Sequence, residues 1–221
     1  MDINIASNSK PITVLLVDDH PVVRDGYRRL LDYTSDIQVV AEAGDGESAC
    51  LTYAEYGPTV VILDLSMPGI GGMETIRRIK AKDANARILV FTMHDTETLI
   101  MRTLEAGALG YLTKQGGIAQ MVEAVRQVAQ GKPFIDPKHV TNMATRQLFD
   151  SAEDPLRVLS TREFQLFQLF AEGRSVAEVA STLSISPKTV GVHHSHIMKK
   201  LGLENSAQLV RLAIRCNLAS N

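Results

Sequence analysis

The chain has 221 residues, 45% hydrophobic and 22% charged, with six His and two Cys and a formal net charge of -2. That length holds one large domain or two small ones. Composition excludes a membrane-spanning protein, because no uninterrupted apolar run approaches the roughly 18 residues a span needs. It also excludes a disulfide framework, because Cys50 and Cys216 lie far apart without C-x-x-C spacing and read as thiols of a reducing compartment. The small net charge hides an asymmetry: residues 1–155 carry 15 Lys+Arg against 21 Asp+Glu, and residues 156–221 carry 8 against 4. An acidic front and a basic end predict two modules with different partners.

The opening "MDINIASNSK" is polar and lacks the basic start and apolar core of a leader, so it reads as a tail (residues 1–10) of a cytoplasmic protein. From Ile12 onward, short apolar runs alternate with amphipathic stretches. "ITVLLV" precedes "PVVRDGYRRLLDYT", and "IQVVAEA" precedes "DGESACLTYAEY". "TVVILDL" precedes "GMETIRRIKAK", "RILVFT" precedes "TETLIMRTLEAG", and "LGYLT" precedes "GIAQMVEAVRQVAQG". Five strand-then-helix units predict an α/β domain over residues 1–131, a five-stranded, doubly wound parallel sheet with helices on both faces.

After Gly131 the alternation stops. Residues 132–157 contain "KPFIDPKHV" with its two prolines and the acidic, turn-like "DSAEDP", and read as a linker with a short helix inside it, "KHVTNMATRQLF". Residues 158–221 show helical signals only. "STREFQLFQLFAEG" opens with Ser160 and Glu163 in capping-box spacing, and "SVAEVASTL" follows. After the short turn "SIS", "PKTVGVHHSHIMKKLG" begins with Pro187 at a first helical position, and "SAQLVRLAIRCNL" closes the domain. Four helices, two of them joined by a tight turn with the second longer and basic, form a helix-turn-helix pattern.

Right-handed crossovers bring the carboxyl ends of all parallel strands to one edge, where such sheets carry their sites. Asp18 and Asp19 follow "ITVLLV", Asp64 follows "TVVIL", Thr92 ends "RILVF" and Lys114 follows "LGYLT". Three acids, a hydroxyl and an ammonium therefore converge from four strands. Crowded carboxylates are costly to desolvate and call for a cation, and an oxygen-lined pocket suits Mg²⁺ better than zinc or calcium. A metal-flanked Asp64 is equipped as a nucleophile toward phosphorus, giving an acyl phosphate. Lys114 would hold one phosphoryl oxygen and Thr92 another.

The segments "LLVDDHPVVR", "VVILDLSMPGIGGMETIRRI", "ILVFT" and "AGALGYLTK" resemble the receiver domain of two-component response regulators over about residues 12–131. The resemblance implies that Asp64 accepts phosphate from a sensor histidine kinase. It also implies that Asp18, Asp19, Asp64 and the backbone carbonyl of Ser66 hold Mg²⁺, and that Thr92 and Tyr111 form the pair that moves on phosphorylation. On its own residues, Tyr111 reads only as half-buried sheet packing. Ser66 and His94 fall at positions that tune phosphate lifetime in the family. Hydrolases of the haloacid dehalogenase type carry a second Asp two residues after the nucleophile; here that residue is Ser66, which argues for a switch and against an enzyme.

"LSTREFQLFQLFAEGRSVAEVASTLSISPKTVGVHHSHIMKKLGL" resembles the LuxR-type helix-turn-helix domain of NarL/FixJ response regulators. At about 100° per residue, Val190, Ile197 and Leu201 share an inward face. Lys188, Val192, Ser195 and Lys199 cluster opposite, facing a major groove with the lysines placed for phosphate and Val192 for a thymine methyl. Thr189 matches a family phosphate contact. Gly191 and Ser195 stand where the family often has long polar side chains, which leaves more of the readout to phosphate contacts and DNA shape. His193, His194 and His196 invite a metal reading, but His193 with His196 supplies only half a site, and His193 and His194 flank the inner face and read as packing. In the last helix, Leu209, Leu212, Ala213 and Cys216 form one apolar face, which Ala207, Val210 and Ile214 extend. The extension reads as a dimer surface, as the resemblance implies, or as a surface buried against the first domain.

The combined reading is a phosphorylation-controlled, DNA-binding transcription regulator of a bacterial two-component system. Its partners are a sensor histidine kinase and double-stranded DNA at paired half-sites, and it acts as a homodimer. The alternative is a regulator that binds DNA regardless of phosphorylation and uses the receiver for docking or dimerisation.

Overall fold

The computed structural model describes residues 10–137, 139–140, 155–216 and 218. Strands β1 (Ile12–Val17), β2 (Ile37–Ala43), β3 (Val60–Leu63), β4 (Ile88–Thr92) and β5 (Gly110–Thr113) alternate with helices α1 (Pro21–Asp32), α2 (Gly46–Tyr56), α3 (Gly71–Lys82), α4 (Glu97–Glu105) and α5 (Ile118–Ala129). A further strand, β6 (Phe134–Ile135), completes a parallel sheet of order β2-β1-β3-β4-β5-β6. The sheet thus has six strands where the sequence predicts five. β6 falls inside the stretch read as linker and pairs with β5 through Gly110 and Tyr111. Two residues between Pro133 and Pro137 are too few to show an alternation, so only the neighbouring strand reveals them. The expected helix over residues 138–149 lies almost wholly outside the described residues.

The period of two divides each strand between two cores. Val14 and Leu16 of β1, with Leu112 of β5, pack on the side holding Leu31 of α1 and Met121 and Val125 of α5. Leu15, Val17 and Tyr111 face the other side, with Cys50 of α2, Ile76 and Ile79 of α3, and Ile100 of α4. Burial of each large aliphatic chain contributes about 1.5–3 kcal/mol, which explains why the central strand β3 is apolar throughout and its acid, Asp64, comes only after its last residue. Asp45 caps α2 by accepting the Ser48 N–H at 2.7 Å, and Gly57 ends it at φ 54°.

The start of α3 lies directly over the end of β3. A Cβ on Gly72 would sit 2.5 Å from the Asp64 carbonyl oxygen and 2.7 Å from Leu65 Cα. Only glycine lets α3 begin there without displacing the backbone that carries Asp64.

The second domain follows a short 3₁₀ turn, Pro155–Val158, and comprises α6 (Thr161–Ala171), α7 (Val176–Thr182), α8 (Pro187–Leu201) and α9 (Ser206–Arg215). Ser160 and Glu163 form the capping box expected for α6, and Ser175 and Glu178 form a second at α7. Pro187 stands at the first turn of α8, and Gly202 ends it at φ 63°. Phe164, Phe167, Val179, Val190, Ile197, Leu209 and Leu212 are its buried core. Among the described residues, no helix is long and apolar enough to cross a membrane.

Candidate functional site

Four strand ends converge as the alternation requires. Asp18 and Asp64 are almost fully buried, and Thr92 is wholly so. Lys114 Nζ lies 2.6 Å from Asp18 Oδ2 and 2.6 Å from Asp64 Oδ2, donating to both carboxylates. Burial alone would lower the Lys114 pKa, but the bonds from Asp18 and Asp64 outweigh it and raise the value above an ordinary lysine's. The second oxygen of Asp64 accepts the Ser66 N–H at 3.1 Å. Asp18 Oδ1 accepts the His20 N–H at 2.8 Å, and Arg24 donates to the Asp18 carbonyl at 2.6 Å. Asp64 is thereby fixed in orientation by a cation on one oxygen and an amide on the other.

Asp18, Asp19 and His20 bring one ligand atom each within 4.8 Å of one another. Asp19 Oδ1 is buried and accepts no hydrogen bond among the described residues; it faces His20 Nδ1 at 2.9 Å in ion-pair geometry. The two carboxylates are hard oxygen donors, and the buried, under-satisfied Oδ1 of the half-buried Asp19 fits Mg²⁺. Asp64 joins this cluster through Lys114, which bridges it to Asp18. His20 was not singled out by sequence reasoning. The available signal was its position directly after the acid pair in "DDHP".

The flanking loops carry three further groups. Ser66 Oγ and His94 Nε2 are 2.9 Å apart, joining the loop after β3 to the loop after β4. The Tyr111 hydroxyl donates to the His94 carbonyl at 3.0 Å. Tyr111 is completely buried, more than its sequence pattern suggests. Burial, with the nearby Asp95 and Asp64 charges, pushes its hydroxyl far above the ordinary tyrosine range, so it acts as a neutral donor.

On α8, Val190 and Ile197 are buried and Leu201 is half-buried, while Lys188, Thr189, Val192, Ser195 and Lys199 are exposed as expected. The surface is not uniformly free to read bases. Ser195 Oγ donates to the Gly191 carbonyl at 3.0 Å, and Thr189 Oγ1 lies 2.8 Å from Ser186 Oγ at the helix cap. Among the described residues, nothing beyond its own helix turn lies within 4 Å of a Cβ placed on Gly191, so no contact described requires a glycine there. His194 packs edge-on against Phe170 with ring centroids 4.7 Å apart, the packing role its position implies.

Residues 14–126 match the family model of the response regulator receiver domain, and residues 157–213 match that of bacterial regulatory proteins of the luxR family. The oxygen regulatory protein NreC of Staphylococcus carnosus is 38% identical, over 93% of this chain and 98% of NreC. Response regulator UvrY of Escherichia coli K12 is also 38% identical, over 95% and 96% of the two chains. The chain belongs to the NarL/FixJ-type response regulators. Among solved structures, RcsB from Salmonella enterica serovar Typhimurium, bound to promoter rprA with the phosphomimetic BeF3-, superposes with a TM-score of 0.66 at 29% identity. It covers 92% of this chain and 98% of that one.

In this response regulator the last helix presents Ala207 exposed and Val210 and Ile214 half-buried, while Leu209, Leu212 and Ala213 are buried in the domain core. Among the described residues, the extension of the apolar arc is thus exposed at Ala207 and half-buried at Val210 and Ile214.

The recognition helix is held at its far end by an ion pair between the exposed Lys200 and the buried Glu163. Lys200 Nζ lies 2.6 Å from Glu163 Oε2, and the same carboxylate accepts the Ser160 N–H at 2.8 Å. Burial would raise the Glu163 pKa, but Lys200 and Ser160 overcome it and lower the value from 4.5 to about 2. A carboxylate depressed by folding stabilises the native state fully above its unfolded value and loses that contribution as pH falls toward the folded one. The stability advantage of the regulator over a Glu163→Gln variant is therefore expected to be complete above pH 4.5 and to shrink as pH falls toward about 2. Urea unfolding of both proteins across that range checks it; a pH-independent difference would sink the assignment.

Proposed function

We propose that this response regulator is switched by phosphorylation of Asp64. A sensor histidine kinase is the donor, Mg²⁺ is required, and the phosphorylated chain binds double-stranded DNA at paired half-sites as a homodimer in the cytoplasm. The observation that carries this reading is the setting of Asp64: a rigid carboxylate at the carboxyl end of a buried strand, held by Lys114 and the Ser66 amide beside Asp18. One carboxylate oxygen attacks phosphorus, the bond to the phosphohistidine nitrogen breaks, and Asp64 becomes an acyl phosphate. Asp18, Asp19, Asp64 and the Ser66 carbonyl would hold the metal, whose charge offsets that of the phosphoryl oxygens. Lys114 supplies a second cation and the Thr92 hydroxyl a neutral donor. Tyr111 and Thr92 adjoin the loop that leads into α4, and so carry the change outward.

The DNA contacts are assigned to Lys188, Thr189, Val192, Ser195 and Lys199, with Gly191 leaving the backbone accessible. The dimer contact is assigned to Ala207, Val210 and Ile214. RcsB, seen on its promoter with a phosphomimetic, supports the pairing of phosphate and DNA binding in this architecture. In the test, half-site fragments are selected from random duplexes and their binding measured by anisotropy with and without BeF3- and Mg²⁺. The mimic should raise affinity about tenfold or more, because a dimer on two sites gains effective concentration.

A second reading, DNA binding without phosphate control, draws on the exposure of Lys188, Val192 and Lys199 in the receiver-docked chain. Equal affinity with and without the mimic would establish it in place of the first.

A further inference from the structure

Asp18 and Asp19 stand in the short link between the end of β1 at Val17 and the start of α1 at Pro21, and one residue brackets that link. Arg24 Nη1 donates to the Asp18 carbonyl at 2.6 Å, and the Arg24 main-chain N–H donates to the His20 carbonyl at 3.0 Å. The carbonyls on either side of Asp19 are therefore held by the same residue. Asp19 depends on this hold, because its buried Oδ1 accepts no hydrogen bond among the described residues and faces only the exposed His20.

Arg24 is fixed in turn from β2. Its Nε donates to Glu42 Oε2 at 2.8 Å, and Arg28 Nη1 donates to the other oxygen, Oε1, at 2.5 Å. The Arg24 and Glu42 side chains are mostly covered, 19% and 25% exposed. Burial would raise the Glu42 pKa, but the bonds from Arg28 and Arg24 lower it, so the carboxylate keeps its charge.

Glu42 reaches these arginines because β2 is irregular. β1 pairs Val14 with Val39 but Leu15 with Ala41, which makes Val40 an extra residue, a bulge of a kind rare between parallel strands. Ile37 and Val39 pack in the core shared with α1 and α5. Unbroken alternation would send Ala41 and Ala43 to that same core and Glu42 to the opposite face. The bulge reverses the order: Ala41 and Ala43 pack in the other core, with α2 and α3, and Glu42 turns toward α1. Bulges beside functional sites re-aim a side chain in this way. Here the re-aimed carboxylate is one guanidinium away from the acid pair.

A cation next to a magnesium site repels the metal unless its own charge is cancelled. We infer that Arg24 is a positioning residue for the Mg²⁺ acids Asp18 and Asp19, and that Glu42, aimed by the bulge, both fixes the Arg24 fork and cancels its charge. Both act through other residues, and neither is itself a ligand. The inference rests on the acid pair holding Mg²⁺, as proposed above.

The test titrates the full chain with Mg²⁺ alone, by calorimetry, at low and at high salt. Arg24→Met together with Glu42→Gln removes one charge of each sign, so a change in affinity reports position and not net charge. This double variant is expected to bind Mg²⁺ about tenfold more weakly at both salt concentrations, the low end of what losing an outer partner of a metal ligand does. Glu42→Gln alone leaves Arg24 beside the acids with its charge uncancelled. It is expected to lose about fivefold in Mg²⁺ affinity at low salt, and less at high salt, where the charge is screened. Saturating Mg²⁺ should restore BeF3- binding in both variants, a split that a misfolded receiver would not show.

The positioning role is overturned if the double variant binds Mg²⁺ within twofold of the parent, or if its deficit vanishes at high salt, since charge would then account for it. The cancelling role is overturned if Glu42→Gln binds as the parent does at low salt. Where urea unfolding shows the double variant unfolded, Arg24→Lys carries the same test. It keeps the charge but lacks the fork that serves Glu42 and the Asp18 carbonyl together, so it too should lose about tenfold at both salt concentrations, and parent-like affinity would sink the role. No Mg²⁺ binding by the parent overturns the metal reading of the acid pair, and this inference with it.

Discussion

Replacing Lys114 by Met is expected to destabilise the receiver by about 3–5 kcal/mol, the usual cost of stranding buried charge when one partner of an ion pair is removed. The ammonium is almost fully buried and touches Asp18 and Asp64 at 2.6 Å each. Met fills nearly the same volume, so the loss reports charge and not a cavity. Urea unfolding near pH 7 measures it. One further observation separates this account from poor packing. The deficit should shrink when Mg²⁺ is added, since a cation that binds the folded acid cluster stabilises it by mass action. A deficit indifferent to Mg²⁺ would show that the acids do not depend on a cation.

Asp64→Asn is expected to abolish covalent labelling by a small phosphodonor such as acetyl phosphate, and with it any response of DNA binding to that donor. Asn keeps the shape, and its side-chain oxygen can still accept the Ser66 N–H that Asp64 now takes at 3.1 Å, but it offers no carboxylate to attack phosphorus. Asp18 keeps Lys114 paired, so the variant retains a cation on its remaining buried acid and should fold. Labelling of Asp64→Asn at the parent's level would move the acceptor elsewhere. Loss of labelling without any change in DNA response would leave the receiver as a docking module.

Much of the site is legible in the chain because strands buried on both faces admit polar residues only where they end. Asp18 and Asp64 each stand directly after an apolar run, Thr92 closes one and Lys114 follows the strand "GYLT"; a right-handed parallel sheet must gather those ends on one edge. The capping boxes and Pro187 are equally local, since a helix end is satisfied by residues three positions away.

What escaped the sequence is what depends on elements far apart in the chain. Gly72 is required by the Asp64 carbonyl 2.5 Å from where its Cβ would be, a contact set by how α3 seats on β3. β6 is two residues long and exists only because β5 offers an edge. Tyr111 reads as half-buried because alternation reports which face a residue takes, not how deeply α4 and the His94 loop cover it.

Leu99 and Arg102 show the division most clearly. Helical periodicity marks Leu99 as an inward residue of α4, and by that rule it belongs to the receiver core. The structure instead buries it in the second domain, with Arg102 over Phe164. The sequence by itself determined two modules, their element order and the residues at each strand end, because those follow from local pattern and chain chirality. Only the tertiary structure decided how the modules grip each other, because apolar surface is buried by whichever partner is near, and no period in the chain encodes which that is.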